Sequence, residues 1–386
     1  MPCFNSQRTV RQAVHSIFQQ ELEIPFEIIM VNDGSTDKTA SVLVELKKKY
    51  SHIRLLNHKR NMGGGKTRND AILKSKGNLL FCLDSDDILP PHMLPKLIAT
   101  LDEKNCDGVL FQETHYFMWS TKLAKVDKNK VNPRKPITIE NLFSRENSFF
   151  TQVNFLYTRN AFDKTGGYPE NHGFDTQGFG FRFLAQGNSV YICPNSYYCH
   201  RQGVGKSYFE REYEKGRLSL NRFLIFEDLL YLFSDQIILE IFRYDAFSFC
   251  NLTSNNLMSY LKNRFTKLGA RFFSGTYSWD ERISIIEKKK TKSLSDLVLM
   301  GTYEFLLNNQ EEAFKNYHKL FTRGESSPLL TYAFFRCVAS SRNVPGISVV
   351  DLVSSITLRP QKSIVSQALP LKLVRYVSQV SQRIQT

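Results

Sequence analysis

The first half of the chain predicts an α/β fold with a mixed, mostly parallel sheet flanked by helices, and the second half an all-α region. Three observations carry this. Apolar runs at 28–31 and 79–83 each end abruptly in polar turns, which suits short strands covered on both faces. Each run is followed by residues with helical spacing, the alternation of an α/β domain. Beyond about residue 210 the alternation gives way to long helical periodicity with few strand signals. The chain of 386 residues, 42% of them hydrophobic, can bury a large core in two domains. We expect these at 1–210 and 211–386.

The elements follow in order. Residues Thr9 to Gln20 predict a helix with Val10, Val14, Ile17 and Phe18 inward. Ile28–Val31 predict a strand running into Asn32-Asp33-Gly34-Ser35, a turn composition. Ser35, Thr36 and Asp37 can then cap a helix that carries Ala40, Val42, Leu43 and Leu46 on one face. Next comes Asn61-Met62-Gly63-Gly64-Gly65-Lys66-Thr67-Arg68-Asn69. Its glycines allow close backbone approach to a ligand, and Lys66 and Arg68 can answer a pyrophosphate. It is no P-loop, because Arg60 stands where that motif needs its first glycine. Leu79, Leu80, Phe81 and Leu83 then lead into Asp84-Ser85-Asp86-Asp87. Three carboxylates at a strand's carboxyl end repel one another, and a divalent cation such as Mg²⁺ or Mn²⁺ relieves that repulsion. An acidic loop or helix cap is the competing reading, given Pro90-Pro91 close behind.

These segments, in this order and spacing, resemble the inverting family-2 glycosyltransferases of GT-A fold. The resemblance begins at Met1-Pro2-Cys3-Phe4-Asn5 and passes through Val31 to Asp37, Asn61 to Asn69, and Leu83 to Asp87. It continues at Leu156 to Arg159, Gly166-Gly167-Tyr168 and Phe179 to Gly187, and fades near Ser207. It implies that Pro2 and Phe4 lie at a uracil, Phe4 stacking on it, with Asp33 holding its N3–H and Gly64 and Arg68 near the nucleotide. It implies that Asp84 and Asp86 form the Asp-x-Asp element at ribose and diphosphate. Asp86 would hold Mn²⁺ or Mg²⁺, with His200 as a further metal ligand. The donor would be a nucleoside-diphosphate sugar, UDP-linked by this reading, and the acceptor a glycan or lipid-linked glycan.

The sequence departs from the family pattern in two places. Counting back from Arg182 puts Asp175 and Thr176 where the family carries Glu-Asp, so Asp175 is the candidate general base and a helix cap its bland alternative. Arg201 and Lys206 are phosphate clamps by charge alone. The chain also opens at Met1-Pro2, where the family completes a first buried strand. The expectation is that residues of that strand precede Met1, and that the first ordered element here is the Thr9–Gln20 helix.

Composition narrows the classes. The seven cysteines are scattered, with no Cys-x-x-Cys pair, which argues against a disulfide framework or zinc site and for a cytoplasmic setting. The net charge of +14 would suit nucleic acid, but no nucleic-acid motif accompanies it. A basic surface equally suits an anionic leaflet or a diphosphate-linked acceptor, so peripheral membrane contact at the inner face is allowed. The stretch from Phe223 to Phe242 contains Glu227, Asp228, Asp235 and Glu240, too many acids for a bilayer span. It reads as an amphipathic helix pair. Met300-Gly301 with Ala313 and Tyr317 fits a helical hairpin turning at Asn308-Asn309-Gln310, without a repeat array. The helical region suits oligomerisation, acceptor binding or membrane docking. A non-catalytic nucleotide-sugar-binding scaffold is the alternative to the transferase, motivated by Thr176 and the opening at Met1. A sugar-1-phosphate nucleotidyltransferase would need a Gly-rich, Arg-bearing loop near its start, which Phe4 to Arg8 does not supply.

Overall fold

The computed structural model describes residues 1–118, 123–128, 132–137, 154–170, 174–203, 227–243 and 278–323, with positions 333 and 337. The chain divides into two compact units, Met1–Arg211 and Glu212–Thr386.

In the first unit, β1 (Pro2–Cys3), α1 (Val10–Phe18), β2 (Ile28–Asp33), α2 (Thr39–Lys49) and β3 (Ile53–His58) come first. They are followed by α3 (Gly64–Lys74), β4 (Leu79–Phe81), α4 (Met93–Lys104), β5 (Gly108–Phe117) and β6 (Leu123–Lys128). Then come β7 (Leu156–Thr158), α5 (Arg159–Thr165), α6 (Asp175–Ala185) and β8 (Val190–Arg201). Strands β1, β2 and β3 form one parallel sheet. A second sheet runs β4-β7-β5-β6 with β8 beside β5. Its β5–β8 pair is parallel and its other pairs antiparallel. The parallel character therefore lies mainly in the first sheet.

Every residue of β2 is buried, as its continuous apolar run requires of a strand covered on both faces. Helix α1 presents Val10 and Val14 to the same core, with Ile17 and Phe18 at its margin. The first ordered element is not this helix but β1, which corrects the sequence expectation. Pro2 pairs with Val31 and Cys3 with Asn32, and the Met1 ammonium donates to the Ile29 carbonyl at 2.8 Å. Two residues suffice because β2 supplies a ready ladder for them.

Between β2 and β4 lies an apolar cavity of about 350 Å³, lined among others by Ile28, Ile29, Ala71, Leu79 and Phe81. Immediately after the Asp84–Asp87 segment, Ile88 forms an antiparallel bridge with Cys199 of β8. That bridge fixes the acidic loop from its far side.

The second unit is helical over its described residues. It contains a 3₁₀ turn at Leu230–Leu232, then α7 (Asp235–Arg243), α8 (Trp279–Glu287), α9 (Leu294–Leu306) and α10 (Gln310–Thr322). The expected hairpin is present as α9 and α10. A methyl group on Gly301 would lie 2.6 Å from the Tyr317 ring, so the glycine makes room for it. Thr302 and Tyr317 share a buried hydrogen bond at 3.0 Å. Of the expected amphipathic pair, residues 223–226 lie outside the described residues. Glu227 and Asp228 are buried, and the Trp279 indole donates to the Asp228 carbonyl. Among the described residues, no helix is long and apolar enough to cross a membrane, and the six cysteines are free thiols.

Candidate functional site

The carboxyl ends of β1, β2 and β4 supply the loops that build the site, as open α/β sheets do. Phe4 follows β1 and is 45% exposed. Its neighbour Asn5 is tied to the loop after β2. The Asn5 amide donates to Ser35 Oγ, and Asn5 Oδ1 accepts from the Thr36 amide at 2.8 Å. An aromatic face left exposed on a pinned loop is available for stacking.

Asp33 ends β2, and its carboxylate is engaged within the fold. It is 3% exposed and accepts from the Met62 amide at 2.8 Å, the Gly63 amide at 3.1 Å and His58 Nδ1 at 2.7 Å. His58 Nε2 meets Asp70, which also pairs with Lys66 at 2.8 Å. The geometry thus makes Asp33 the anchor of the glycine-rich turn. Sequence reasoning assigned it to a base and had no signal for His58, which lies 25 residues away in β3.

The glycine-rich segment opens α3. Its glycines receive protein groups: a Cβ on Gly65 would stand 1.9 Å from the Pro169 carbonyl oxygen. One on Gly64 would stand 2.6 Å from Arg68 Nη1 and 2.8 Å from Asp175 Oδ2. Only glycine lets the segment bearing Asp175 come this close.

Arg68, one turn into α3, is 6% exposed. Its Nη1 donates to Asp175 Oδ2, and its Nη2 to Asp84 Oδ1 at 2.5 Å. Asp84 Oδ2 accepts from Asn154 Nδ2 at 3.1 Å. Burial would lower the Arg68 pKa, but the two acids outweigh it and hold the guanidinium well above its ordinary value. Asp175 is the first residue of α6. Burial raises its pKa and Asp84 adds to the rise, while Arg68 and the backbone N–H groups of Asp175 and Thr176 pull it down; the net shift is upward. The site reading and the helix-end reading of Asp175 are therefore both represented in its contacts.

On the other side of the acidic loop, Asp87 is 1% exposed and accepts from the Tyr198 hydroxyl at 2.8 Å and the Arg201 amide at 2.8 Å. His200 Nδ1 lies 3.1 Å from the same carboxylate. Burial opposes a charge on His200, but Asp87 outweighs it and lifts the imidazole to about 9. Asp86 has no ion-pair partner among the described residues. Burial first, then Asp87 and Asp84, push it up to about 7, with His200 opposing. A half-buried carboxylate crowded by like charges is the chemistry that a hard divalent cation satisfies. Asp86 therefore fits such an ion, whereas His200, held protonated beside Asp87, would have to release its proton to join it. Among the described residues, no three His, Cys, Asp or Glu side chains gather into a full cage. The β1 end reaches the same loop. Burial, despite the nearby ammonium and Ser85, and with Asp84 and Asp86 adding, pushes the Cys3 thiol to about 12.

Arg201 is no phosphate clamp here. It donates to the Asp86 carbonyl at 2.7 Å and to Gln12 at 2.5 Å, and stacks over Phe117 at 4.5 Å. Lys206 lies outside the described residues. Asn154 and Tyr198 are site residues that sequence reasoning did not assign, because a lone Asn or Tyr carries no local pattern. Asn154 bridges Asp84 and the Tyr198 hydroxyl at 3.2 Å.

The first part of the chain is similar to known proteins. The family model described as Glycosyl transferase family 2 covers residues 1–166. Over those residues the chain is similar to the family-2 glycosyltransferases. The poly(ribitol-phosphate) beta-glucosyltransferase of Bacillus spizizenii is 36% identical over 112 residues, 28% of this chain and 18% of that protein. The poly(ribitol-phosphate) beta-N-acetylglucosaminyltransferase TarS of Staphylococcus aureus is 29% identical over 114 residues, 29% of this chain and 20% of that protein. The chain thus matches about a fifth of the length of these curated relatives. A crystal structure of S. aureus TarS 1–349 in complex with UDP-GlcNAc overlays with a TM-score of 0.48 at 18% identity, covering 88% of this chain and 87% of that one.

Proposed function

We propose that the family-2 domain transfers a sugar from a UDP-sugar to an acceptor hydroxyl with inversion at the anomeric carbon. The observation that carries this is the convergence of Asp84 and Asp175 on one buried guanidinium. It puts the donor-side carboxylate and the candidate base in a single constellation. In this reading Phe4 stacks on the base, while Asp33 and His58 hold the glycine-rich turn beside it. Asp84, fixed by Arg68 and Asn154, meets the ribose beside the diphosphate. Asp86, with His200, would hold Mn²⁺ or Mg²⁺, and the diphosphate oxygens would complete its shell. When bound, that ion supplies positive charge against the departing diphosphate.

Asp175 takes the proton of the attacking hydroxyl. The oxygen–carbon bond to the acceptor forms as the carbon–oxygen bond to UDP breaks, and the proton passes to the Asp175 carboxylate. Burial raises the pKa of Asp175 and makes it a stronger base than an ordinary aspartate, while Arg68, facing it, favours its ionised form. The acceptor class follows the relatives' names: a hydroxyl of an anionic polyol-phosphate polymer or a related lipid-linked glycan. The net charge of +14 suits a polyanion.

The test is turnover of UDP-glucose and UDP-GlcNAc with Mn²⁺, with Mg²⁺ and with chelator, first as hydrolysis and then with poly(ribitol phosphate) as acceptor. Metal-dependent release of UDP, lost in Asp175→Asn by about 100-fold or more in kcat, is the expected result. Retention of full kcat in Asp175→Asn removes the base assignment. Tight UDP binding with no turnover of any sugar nucleotide favours the scaffold alternative.

A further inference from the structure

Asp84 is gripped from both sides by residues whose other ends lead to different parts of the site. Oδ1 is held by Arg68, whose second nitrogen holds Asp175. Oδ2 is held by Asn154, whose amide nitrogen also donates to the Tyr198 hydroxyl. Tyr198 in turn donates to Asp87, which carries His200. Asp175, Arg68, Asp84, Asn154, Tyr198, Asp87 and His200 thus form one unbroken polar chain. Arg68, Asn154, Asp87 and Tyr198 within it are more than nine-tenths buried. Two buried atoms along it, Arg68 Nε and Asn154 Oδ1, have no hydrogen-bond partner among the described residues.

We propose that Arg68 and Asn154 are positioning residues that couple donor binding at Asp84 to the placement of Asp175, rather than contacts of the nucleotide itself. The inference rests on the transferase reading given above and names the internal wiring of that site. The physical reason is geometric. Arg68 is nearly inaccessible, and both of its terminal nitrogens are already committed to carboxylates, so the hydroxyls of a ribose can reach Asp84 while the guanidinium stays out of the nucleotide's reach. A planar guanidinium can hold two carboxylates at a fixed separation, which an ammonium cannot. A shift of Asp84 on binding is passed to Asp175 through the guanidinium that holds both carboxylates. In a low-dielectric site such hydrogen bonds reinforce one another, so breaking one link is felt along the chain. Asn154 serves the opposite end in the same way: it sets the second oxygen of Asp84 against the strand that carries Tyr198 and His200.

The test is a double-mutant cycle with Arg68→Lys and Asn154→Ala, and Asn154→Ser if the alanine variant does not fold. UDP affinity with Mn²⁺ is measured by calorimetry, and kcat and KM for hydrolysis of UDP-glucose and UDP-GlcNAc are measured in the same proteins. Each single variant should weaken UDP binding about tenfold, and the double variant should lose clearly less than the product of the two. Asn154→Ala should also lower kcat at saturating donor, although Asn154 does not touch Asp175; a merely structural residue would lower the melting temperature and leave kcat unchanged. Multiplicative losses in affinity together with an unchanged kcat in Asn154→Ala overturn the proposal. Should the wild-type chain bind UDP and hydrolyse neither sugar nucleotide, the transferase reading fails for those donors. The coupling is then judged from the UDP affinities alone. If UDP does not bind, the same cycle in melting temperature decides, and additive losses overturn the proposal.

Discussion

Asp86 and Asp87 stand side by side in the sequence and meet opposite fates. Asp87 is satisfied by Tyr198, Arg201 and His200, whereas Asp86 stands beside two other acids, its ionisation opposed by them, without an ion-pair partner among the described residues. Replacing Asp86 by Asn removes repulsion and no ion pair, so the melting temperature of the metal-free protein should stay level or rise. The same change should abolish the dependence of UDP binding on Mn²⁺, seen as equal calorimetric affinity with and without the ion. A fall in metal-free stability would mean that Asp86 has a partner in the fold. Gly65→Ala should behave otherwise, since its Cβ would meet a main-chain oxygen at 1.9 Å. We expect a loss of about 1–3 kcal/mol in a denaturant titration. These residues also mark how far the sequence can be read. Asp84, Asp86 and Asp175 were legible because a strand end and a counted spacing point to them. Asp33 was legible as a strand-end carboxylate, but its donors Met62 and Gly63 were not, because they come from a loop some thirty residues on. Arg68 was seen as a charge for phosphate; that it is buried between two acids depends on a contact 107 residues away, which no local pattern encodes.

Helix α9 shows how a single turn can carry an element. Ser293 caps it by accepting from the Asp296 amide at 3.2 Å, and Asp296 reaches back to the Ser293 amide at 2.8 Å. Lys289 closes the arrangement on Asp296 at 2.6 Å. Burial would raise the Asp296 pKa, but Lys289 and Ser293 prevail and hold it below 3.8. An acid whose folded pKa is depressed contributes stability above its unfolded value and loses it as pH falls through the folded one. The contribution of the Asp296 carboxylate should therefore be intact above about pH 4 and vanish at lower pH, by the ordinary aspartate value. Ser293→Ala should cost about 1 kcal/mol at pH 7. The bond from the Asp296 amide to the Ser293 hydroxyl does not titrate, so this loss should persist as the pH falls; a loss that shrinks with pH would mean that the hydroxyl acts through the Asp296 carboxylate. The hairpin itself was legible from Gly301, Ala313 and Tyr317, since small residues opposite a large ring imply close helices. The 3₁₀ turn at Leu230–Leu232 was not, because a buried apolar run of that length fits any helix type.

The first unit as a whole joins two sheets of different character, and the apolar cavity of about 350 Å³ lies where β2 faces β4. Ala71 on α3 lines it. Ala71→Leu adds buried carbon to existing space and should raise stability by about 1–2 kcal/mol, measured as a higher denaturation midpoint. An unchanged or lower midpoint would show that the cavity wall does not accept the larger side chain. The alternation of strands and helices made the α/β class legible, but not the division into two sheets, because pairing partners are chosen across long sequence separations. Such a pocket also bears on a variable that neither heat nor denaturant isolates. Water enters dry internal space when a protein unfolds, so the unfolded system occupies less volume, commonly by some 20–100 mL/mol. Only the part of this pocket that solvent does not reach counts toward that change, and Ala71→Leu, by occupying some of it, should shift the unfolding pressure upward.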